Sequence, residues 1–101
     1  MWSKRVDQFI QDLDEFTSKR AIYLLNQLER HGHLLEMPYS KALGKGLFEL
    51  RTQGDIKVRI LYVFRNDRAY IIHAFVKKSW AIAIQDIRYA RRVQREISNI
   101  A

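Results

Sequence analysis

Residues 41–64, KALGKGLFELRTQGDIKVRILYVF, contain the pattern that decides the fold. The strand-like runs LFELRTQ and IKVRILYVF flank a Gly-Asp turn signal, so this stretch predicts an antiparallel β-hairpin. Arg51, Lys57 and Arg59 interrupt the two runs at positions where apolar side chains would stabilise a buried sheet. The hairpin therefore carries cations that packing alone does not explain.

The register of this hairpin decides where the charges lie, because side chains alternate between the two faces of a strand. A two-residue loop would mix charged and apolar residues on both faces. A three-residue loop, 53–55, would place Arg51 opposite Lys57 and would put Glu49 opposite Arg59 on the same face. We favour this second register because it alone gives one polar face and one apolar face. The apolar face would consist of Phe48, Leu50, Val58, Ile60 and Tyr62.

Helical patterns lie on both sides of the strands. Apolar residues at spacings of three and four predict a helix from about Ser3 and a second helix that Thr17 or Ser18 caps and Gly32 ends. A third strand-like run, AYIIHAFVK, follows the hairpin, and residues 81–99 return to helical spacing. The segment EMPYSKALGKG is expected to be a loop. The prediction is an α+β fold with two N-terminal helices, an antiparallel sheet of three or four strands and a C-terminal helix.

The composition narrows the class of protein. A chain of 101 residues with 48% hydrophobic residues is expected to form one domain, and its net charge of +7 favours polyanionic partners, above all nucleic acid. The absence of cysteine excludes disulfides, thiolate catalysis and cysteine-ligated zinc. No HExxH or phosphate-loop motif is present, so we expect no metal or other cofactor. Without an apolar leader or a membrane-length apolar window, the protein is expected to be cytoplasmic.

Five cations are candidates for a phosphate-binding cluster on the sheet: Arg51, Lys57, Arg59, Lys77 and Lys78. The alternative is a solvated sheet face on which Glu49 supplies the counter-charge. Like charges that crowd together on a sheet are destabilising, and a bound phosphate would compensate for them.

The predicted C-terminal helix carries four arginines at positions i, i+3, i+4 and i+7: Arg88, Arg91, Arg92 and Arg95. This spacing places them on one face, opposite the apolar stripe. We expect the face to bind the RNA backbone, with a simple solubilising surface as the alternative.

Three segments in this order resemble the RelE/HigB superfamily of type II toxins, particularly its phage-related branch. They are HLLEMPYSKALGKGLFELR, VRILYVF and IIHAFVKKS, within roughly residues 16–80. The resemblance implies a metal-independent endoribonuclease that cleaves messenger RNA, commonly on the ribosome. It also implies a cognate antitoxin, for which we expect a helix-turn-helix protein. The alternatives are a gyrase inhibitor similar to ParE, or a decayed toxin that persists as a nucleic-acid-binding or regulatory module.

Carried over to this sequence, the resemblance implies catalytic roles for Arg51, Arg59, His73, Lys77 and Lys78. The two arginines would bind the phosphate, and either lysine would transfer protons or stabilise charge. His73 would support them, although a lone histidine in an apolar strand is also typical of a packed core.

The sequence departs from the family pattern in three places. Members of the superfamily usually begin with a strand before the first helix, whereas this chain has MWSKR there. The apolar segment WAIAIQDI replaces a Lys-Thr-Pro continuation, and Trp80, Ile82 and Ile84 could be core residues or a partner-binding patch. The aromatic acid-base residue of some relatives has only Tyr89 as a candidate counterpart.

Overall fold

The computed structural model describes residues 3–78 and 84–98, which form three α-helices, a short 3-10 helix and a four-stranded antiparallel sheet. The strands are ordered β1-β2-β3-β4, so each pairs with its neighbour in the chain. The predicted α+β class is confirmed. The elements are α1 Lys4–Gln11, α2 Glu15–His31, the 3-10 helix Gly32–Leu34, β1 Ser40–Gly44, β2 Leu47–Arg51, β3 Val58–Arg65, β4 Arg68–Val76 and α3 Ile84–Ser98.

The fourth strand, β1, comes from the segment that was predicted to be a loop. β1 pairs with β2, and the two strands are joined by a tight turn in which Lys45 and Gly46 have φ angles of 52° and 80°. Glycine accepts such a φ because it lacks a Cβ atom. As an edge strand, β1 buries only Ser40, so it lacks the alternating apolar pattern that identifies inner strands. Within the described residues, no strand precedes α1.

The break between α1 and α2 lies earlier than predicted. The carboxylate of Asp14 accepts a hydrogen bond from the backbone N–H of Thr17 at 3.0 Å, so Asp14 is the N-cap of α2. Thr17 is buried in the first turn, and the prediction of a cap at Thr17 or Ser18 was wrong. The hydrogen bonds from Thr17 lower the pKa of Asp14 below its usual value.

Helices cover both faces of the sheet. On the first face, α1 and α2 pack against the apolar side of the hairpin, as predicted, with Leu50, Ile60 and Tyr62 fully buried. On the second face, which was predicted to be polar, Leu47 and Leu61 form another core with Ala90 of α3. Residues 58–63 of the inner strand β3 are therefore all buried.

The register between β2 and β3 differs from the favoured prediction by two residues. Arg51 lies opposite Arg59, and Glu49 lies opposite Leu61. The buried Thr52 accounts for the longer loop, because its hydroxyl accepts a hydrogen bond from the N–H of Val58 at 2.9 Å and closes the ladder there. A shift of two residues keeps every side chain on its predicted face, which is why the apolar face is unaffected.

Within the described residues, none of the helices has both the length and the apolar character needed to cross a membrane.

A buried hydroxyl pair on the first face gives a test of the core. The hydroxyls of Tyr62 and Ser40 form a hydrogen bond, and burial raises the pKa of Tyr62, so the phenol remains protonated at neutral pH. Tyr62→Phe leaves Ser40 buried without this partner, and we expect it to reduce the free energy of unfolding by about 1–3 kcal/mol in urea denaturation. Tyr23→Phe, at a residue that is 58% exposed, is the control and should change it by less than about 0.5 kcal/mol. Equal stability of the two variants would contradict the role of this hydrogen bond.

Candidate functional site

Three charged residues meet on the second face of the sheet, and we call them the arginine cluster: Glu49, Arg51 and Arg59. Oε1 of Glu49 lies 3.5 Å from Nε of Arg51 and 3.9 Å from Nε of Arg59. The side chain of Arg59 is 5% exposed and that of Glu49 is 13% exposed, whereas that of Arg51 is 26% exposed. Arg51 is therefore the member of the arginine cluster that is most open to solvent.

The arginine cluster has more donors than acceptors. The two distances to Glu49 are those of ion pairs, and both buried Nε atoms lack a hydrogen-bond partner. Nη1 of Arg59 donates to the carbonyl of Val58 at 3.1 Å, and Nη1 of Arg51 lies 4.0 Å from the sulfur of Met37. Two cations share one carboxylate here, so the arginine cluster has unused donors and excess positive charge. That combination suits an oxyanion.

The pKa of Arg59 reflects this environment. Burial lowers it below the usual value for arginine, the neighbouring Arg51 lowers it further, and Glu49 partly opposes both effects. Arginine still remains protonated at neutral pH, so the buried charge persists.

The second feature of this face is a hydrogen bond between His73 of β4 and Asp86 of α3. Nε2 of His73 lies 2.7 Å from Oδ1 of Asp86, and the rings of Phe75 and Tyr89 lie 5.6 Å and 4.8 Å from the histidine ring. A carboxylate in this position fixes the orientation of the imidazole ring. His73 is therefore bound to a charged partner and is not an isolated core histidine.

A β-bulge brings His73 to this face together with its neighbour. Leu61 pairs with His73 and Tyr62 pairs with Ile71, so Ile72 is the extra residue in β4. Ile72 packs in the core under α3, while His73 bonds to α3 itself. Phe75 lies directly opposite Arg59, and His73 lies opposite Leu61, two residues further along β3 on the same face. His73 is therefore beside the row of paired residues that contains the two arginines.

The predicted lysines lie at the end of the same strands. The N–H of Lys77 donates to the carbonyl of Lys57 at 2.8 Å, so these residues continue the pairing one step beyond Val58 and Val76. Lys57 and Lys78 are exposed, and Lys77 is half buried. The first part of the apolar segment 80–87, including Trp80 and Ile82, lies outside the described residues. Ile84 is the first residue of α3 and is exposed.

The arginines of α3 do not form one uniform exposed face. Arg88, Arg92 and Arg95 are exposed. Arg91 is half buried and donates to the carbonyls of Leu43 at 3.1 Å and Gly44 at 2.9 Å. It therefore attaches α3 to the β1–β2 turn. Arg91 thus differs from the other three arginines in its surroundings, because helical spacing does not show which neighbour packs against the helix. The RNA-binding role of the four arginines stays a prediction.

The described part of the chain brings no group of three histidine, aspartate or glutamate side chains together in a way that could hold a metal ion. A cleft of about 570 Å³ opens between α2 and the β3–β4 turn, and Leu25, Phe64 and Tyr70 are among its lining residues. None of the residues of the arginine cluster lines it.

The family described as "Phage derived protein Gp49-like (DUF891)" matches residues 8–95. The chain belongs to this Gp49-like family. The Gp49-like family is part of the RelE/HigB-type toxin superfamily, so the chain is a toxin-like module of the toxin-antitoxin type, and an antitoxin partner is implied. No curated protein matches the chain.

The matched region of the Gp49-like chain contains two site residues, Glu49 and Asp86, that were not predicted from the sequence. Glu49 had been considered only as a counter-charge on a solvated face, although it stands two positions before Arg51 and therefore shares its face of the strand. Asp86 is separated from His73 by 13 positions, and only the packing of α3 on the sheet brings them together.

Proposed function

We propose that this Gp49-like chain is the toxin of a type II toxin-antitoxin system and acts as a metal-independent endoribonuclease on messenger RNA at the ribosome. The observation that carries the proposal is the arginine cluster, in which two arginines share one carboxylate and the side chain of Arg51 remains 26% exposed. A phosphodiester supplies the negative charge and the acceptor oxygens that this cluster lacks.

The proposed reaction uses the RNA's own nucleophile. The 2′-oxygen attacks the adjacent phosphorus in line, forming a new P–O bond while the bond to the 5′-oxygen breaks. The 2′-hydroxyl loses its proton to a base, and the 5′-oxygen receives one from an acid. The products are a 2′,3′-cyclic phosphate and a 5′-hydroxyl end. The protein must therefore align the strand, stabilise the charge that develops on the phosphate and transfer two protons.

The arginines take the electrostatic role in this proposal. Arg51 contacts the phosphate directly, because it is the most exposed member of the arginine cluster. Arg59 is almost fully buried, so it does not contact the phosphate directly. It forms an ion pair with Glu49 and contributes positive potential to the site. Because Arg59 is buried, its positive charge is screened less than it would be in bulk solvent, so it stabilises the developing phosphorane charge more strongly.

In this proposal, groups at the edge of the arginine cluster carry out the proton transfers. Lys77 or Lys78, at the ends of the paired strands, acts in acid-base catalysis or stabilises charge. His73 supports them, since its bond to Asp86 keeps the ring oriented. Lys57 and the exposed arginines Arg88, Arg92 and Arg95 would contact the RNA backbone.

The implied antitoxin is proposed to be a helix-turn-helix protein that covers the arginine cluster or blocks access to it. A partner that satisfies the excess positive charge there competes directly with the RNA phosphate.

Cleavage in a translating extract tests the proposed function. We expect the purified chain to generate new 5′ ends within translated messages, and the ends to disappear when the cognate antitoxin is added in excess. The same preparation should leave DNA supercoiling by gyrase unchanged. Inhibition of gyrase without RNA cleavage would instead assign a ParE-like activity. Binding to RNA without either effect would assign a decayed toxin.

A further inference from the structure

Two arginines from different helices converge on Tyr89 of α3. Nη1 of Arg5, on α1, donates to the Tyr89 hydroxyl at 3.3 Å, and its Cζ lies 5.0 Å from the ring centroid. Cζ of Arg92 lies 5.3 Å from the same centroid. Among the described residues, neither arginine forms an ion pair with a carboxylate. We call Arg5, Tyr89 and Arg92 the tyrosine cluster.

The charges of the tyrosine cluster are incompletely compensated. The two guanidinium carbons can be no more than about 10 Å apart, which is about the Debye length in 0.1 M salt, so salt reduces the repulsion between these two exposed groups to a small value. The negative face of the tyrosine ring attracts both cations but supplies no full charge. An anion between the two groups would remove the remaining repulsion.

The donors of the tyrosine cluster suit such an anion. Because the Tyr89 hydroxyl accepts a hydrogen bond from Arg5, its own proton is free to be donated, and no described residue accepts it. Apart from the hydrogen bond of Arg5 to this hydroxyl, the Tyr89 proton and the guanidinium N–H groups of Arg5 and Arg92 have no acceptor among the described residues. Phosphate oxygens match this set of donors.

The surroundings favour single-stranded RNA over an acidic protein. The Tyr89 ring lies 4.8 Å from that of His73, so the tyrosine cluster adjoins the face that holds the arginine cluster. Tyr89 also lines a cleft of about 260 Å³ with Tyr70, Ile72 and Val93. A nucleobase stacks on aromatic and apolar walls, and its phosphate binds hydrogen-bond donors beside them.

We propose that the tyrosine cluster is a second phosphate-binding site, which takes a neighbouring phosphate of the RNA strand while the attached base enters the cleft. The identity of the ligand as RNA rests on the proposed function. The site itself rests on the contacts of Arg5, Tyr89 and Arg92. It holds the strand and takes no part in the chemistry.

Binding of a labelled 2′-O-methyl RNA oligonucleotide, measured by fluorescence anisotropy over a salt titration, tests this site. Arg5→Gln removes one phosphate contact, so the slope of log K against log salt should fall by about 0.7, a loss of about fivefold in affinity at 0.1 M salt. Tyr89→Phe should weaken binding without changing the slope, because it removes a donor but no charge. Arg30→Gln, which removes an exposed arginine from α2, is the matched control and should leave the slope unchanged.

Equal slopes for Arg5→Gln and Arg30→Gln, or wild-type affinity of Tyr89→Phe, would overturn the second site. Weaker binding of Arg5→Gln to the antitoxin, with unchanged binding to RNA, would also overturn it and assign the tyrosine cluster to a protein partner. The methylated 2′-oxygen cannot attack phosphorus, so the assay reports binding whether or not the protein cleaves RNA. An absence of cleavage in the translating extract therefore refutes the nuclease function without affecting this result.

Discussion

Replacing Arg51 with glutamine is expected to slow RNA cleavage by about 100- to 1000-fold, corresponding to about 2.7–4 kcal/mol of lost transition-state stabilisation. Arg51 is the most exposed member of the arginine cluster, so it is the group that meets the phosphate. Its loss should barely affect folding, because Glu49 keeps Arg59 as a partner and the repulsion between two opposed arginines is relieved. The initial cleavage rate in a translating extract and the melting temperature are the two measurements.

The control for this prediction is Arg30→Gln, which makes the same change of charge on an exposed part of α2. It should cleave at close to the wild-type rate. The assignment of Arg51 fails if a folded Arg51→Gln protein cleaves messages within about threefold of the wild-type rate. Relief of growth inhibition after induction in cells gives a second measurement of the same loss.

Replacing Glu49 with leucine is expected to reduce the free energy of unfolding by about 3 kcal/mol, near the lower end of values for broken buried ion pairs. The substitution leaves Arg59 buried and directly opposite Arg51, with no carboxylate between them. In a chain of this length, each kcal/mol lowers the melting temperature by about 4–8 °C. Urea denaturation at neutral pH gives the free energy directly.

A double substitution separates this electrostatic effect from a general disturbance of packing. Adding Arg59→Met to Glu49→Leu removes the unpaired buried charge and keeps an unbranched side chain in its place, so the double variant should be more stable than Glu49→Leu alone. Glu29→Leu, at an exposed site on α2, is the control and should change stability by less than about 0.5 kcal/mol. Additive destabilisation by the two substitutions would show that Glu49 does not compensate Arg59.

The faces of the strands could be predicted because they depend on a short-range pattern. Alternation alone assigns Leu50 and Ile60 to one side and Arg51 and Arg59 to the other, and a register shift of two residues does not alter it. The register itself could not be predicted, since it depends on the hydroxyl of Thr52 bonding across the end of the hairpin. The edge strand β1 was not predicted because a strand that pairs on one side only buries few side chains. It therefore lacks the alternating apolar pattern that identifies inner strands.

The sequence by itself therefore determined the α+β class, the apolar face of the hairpin and the presence of Arg51 and Arg59 on the opposite face, since helical and strand periodicities are local properties of the chain. Only the tertiary structure decided that Arg59 is buried against Glu49, that His73 bonds to Asp86 and that Arg91 attaches α3 to the β1–β2 turn. Each of these contacts joins different elements of the fold. These contacts form because α3 and the strands pack against each other. The apolar side chains beneath α3 set that packing, and the charged residues are brought together as a result.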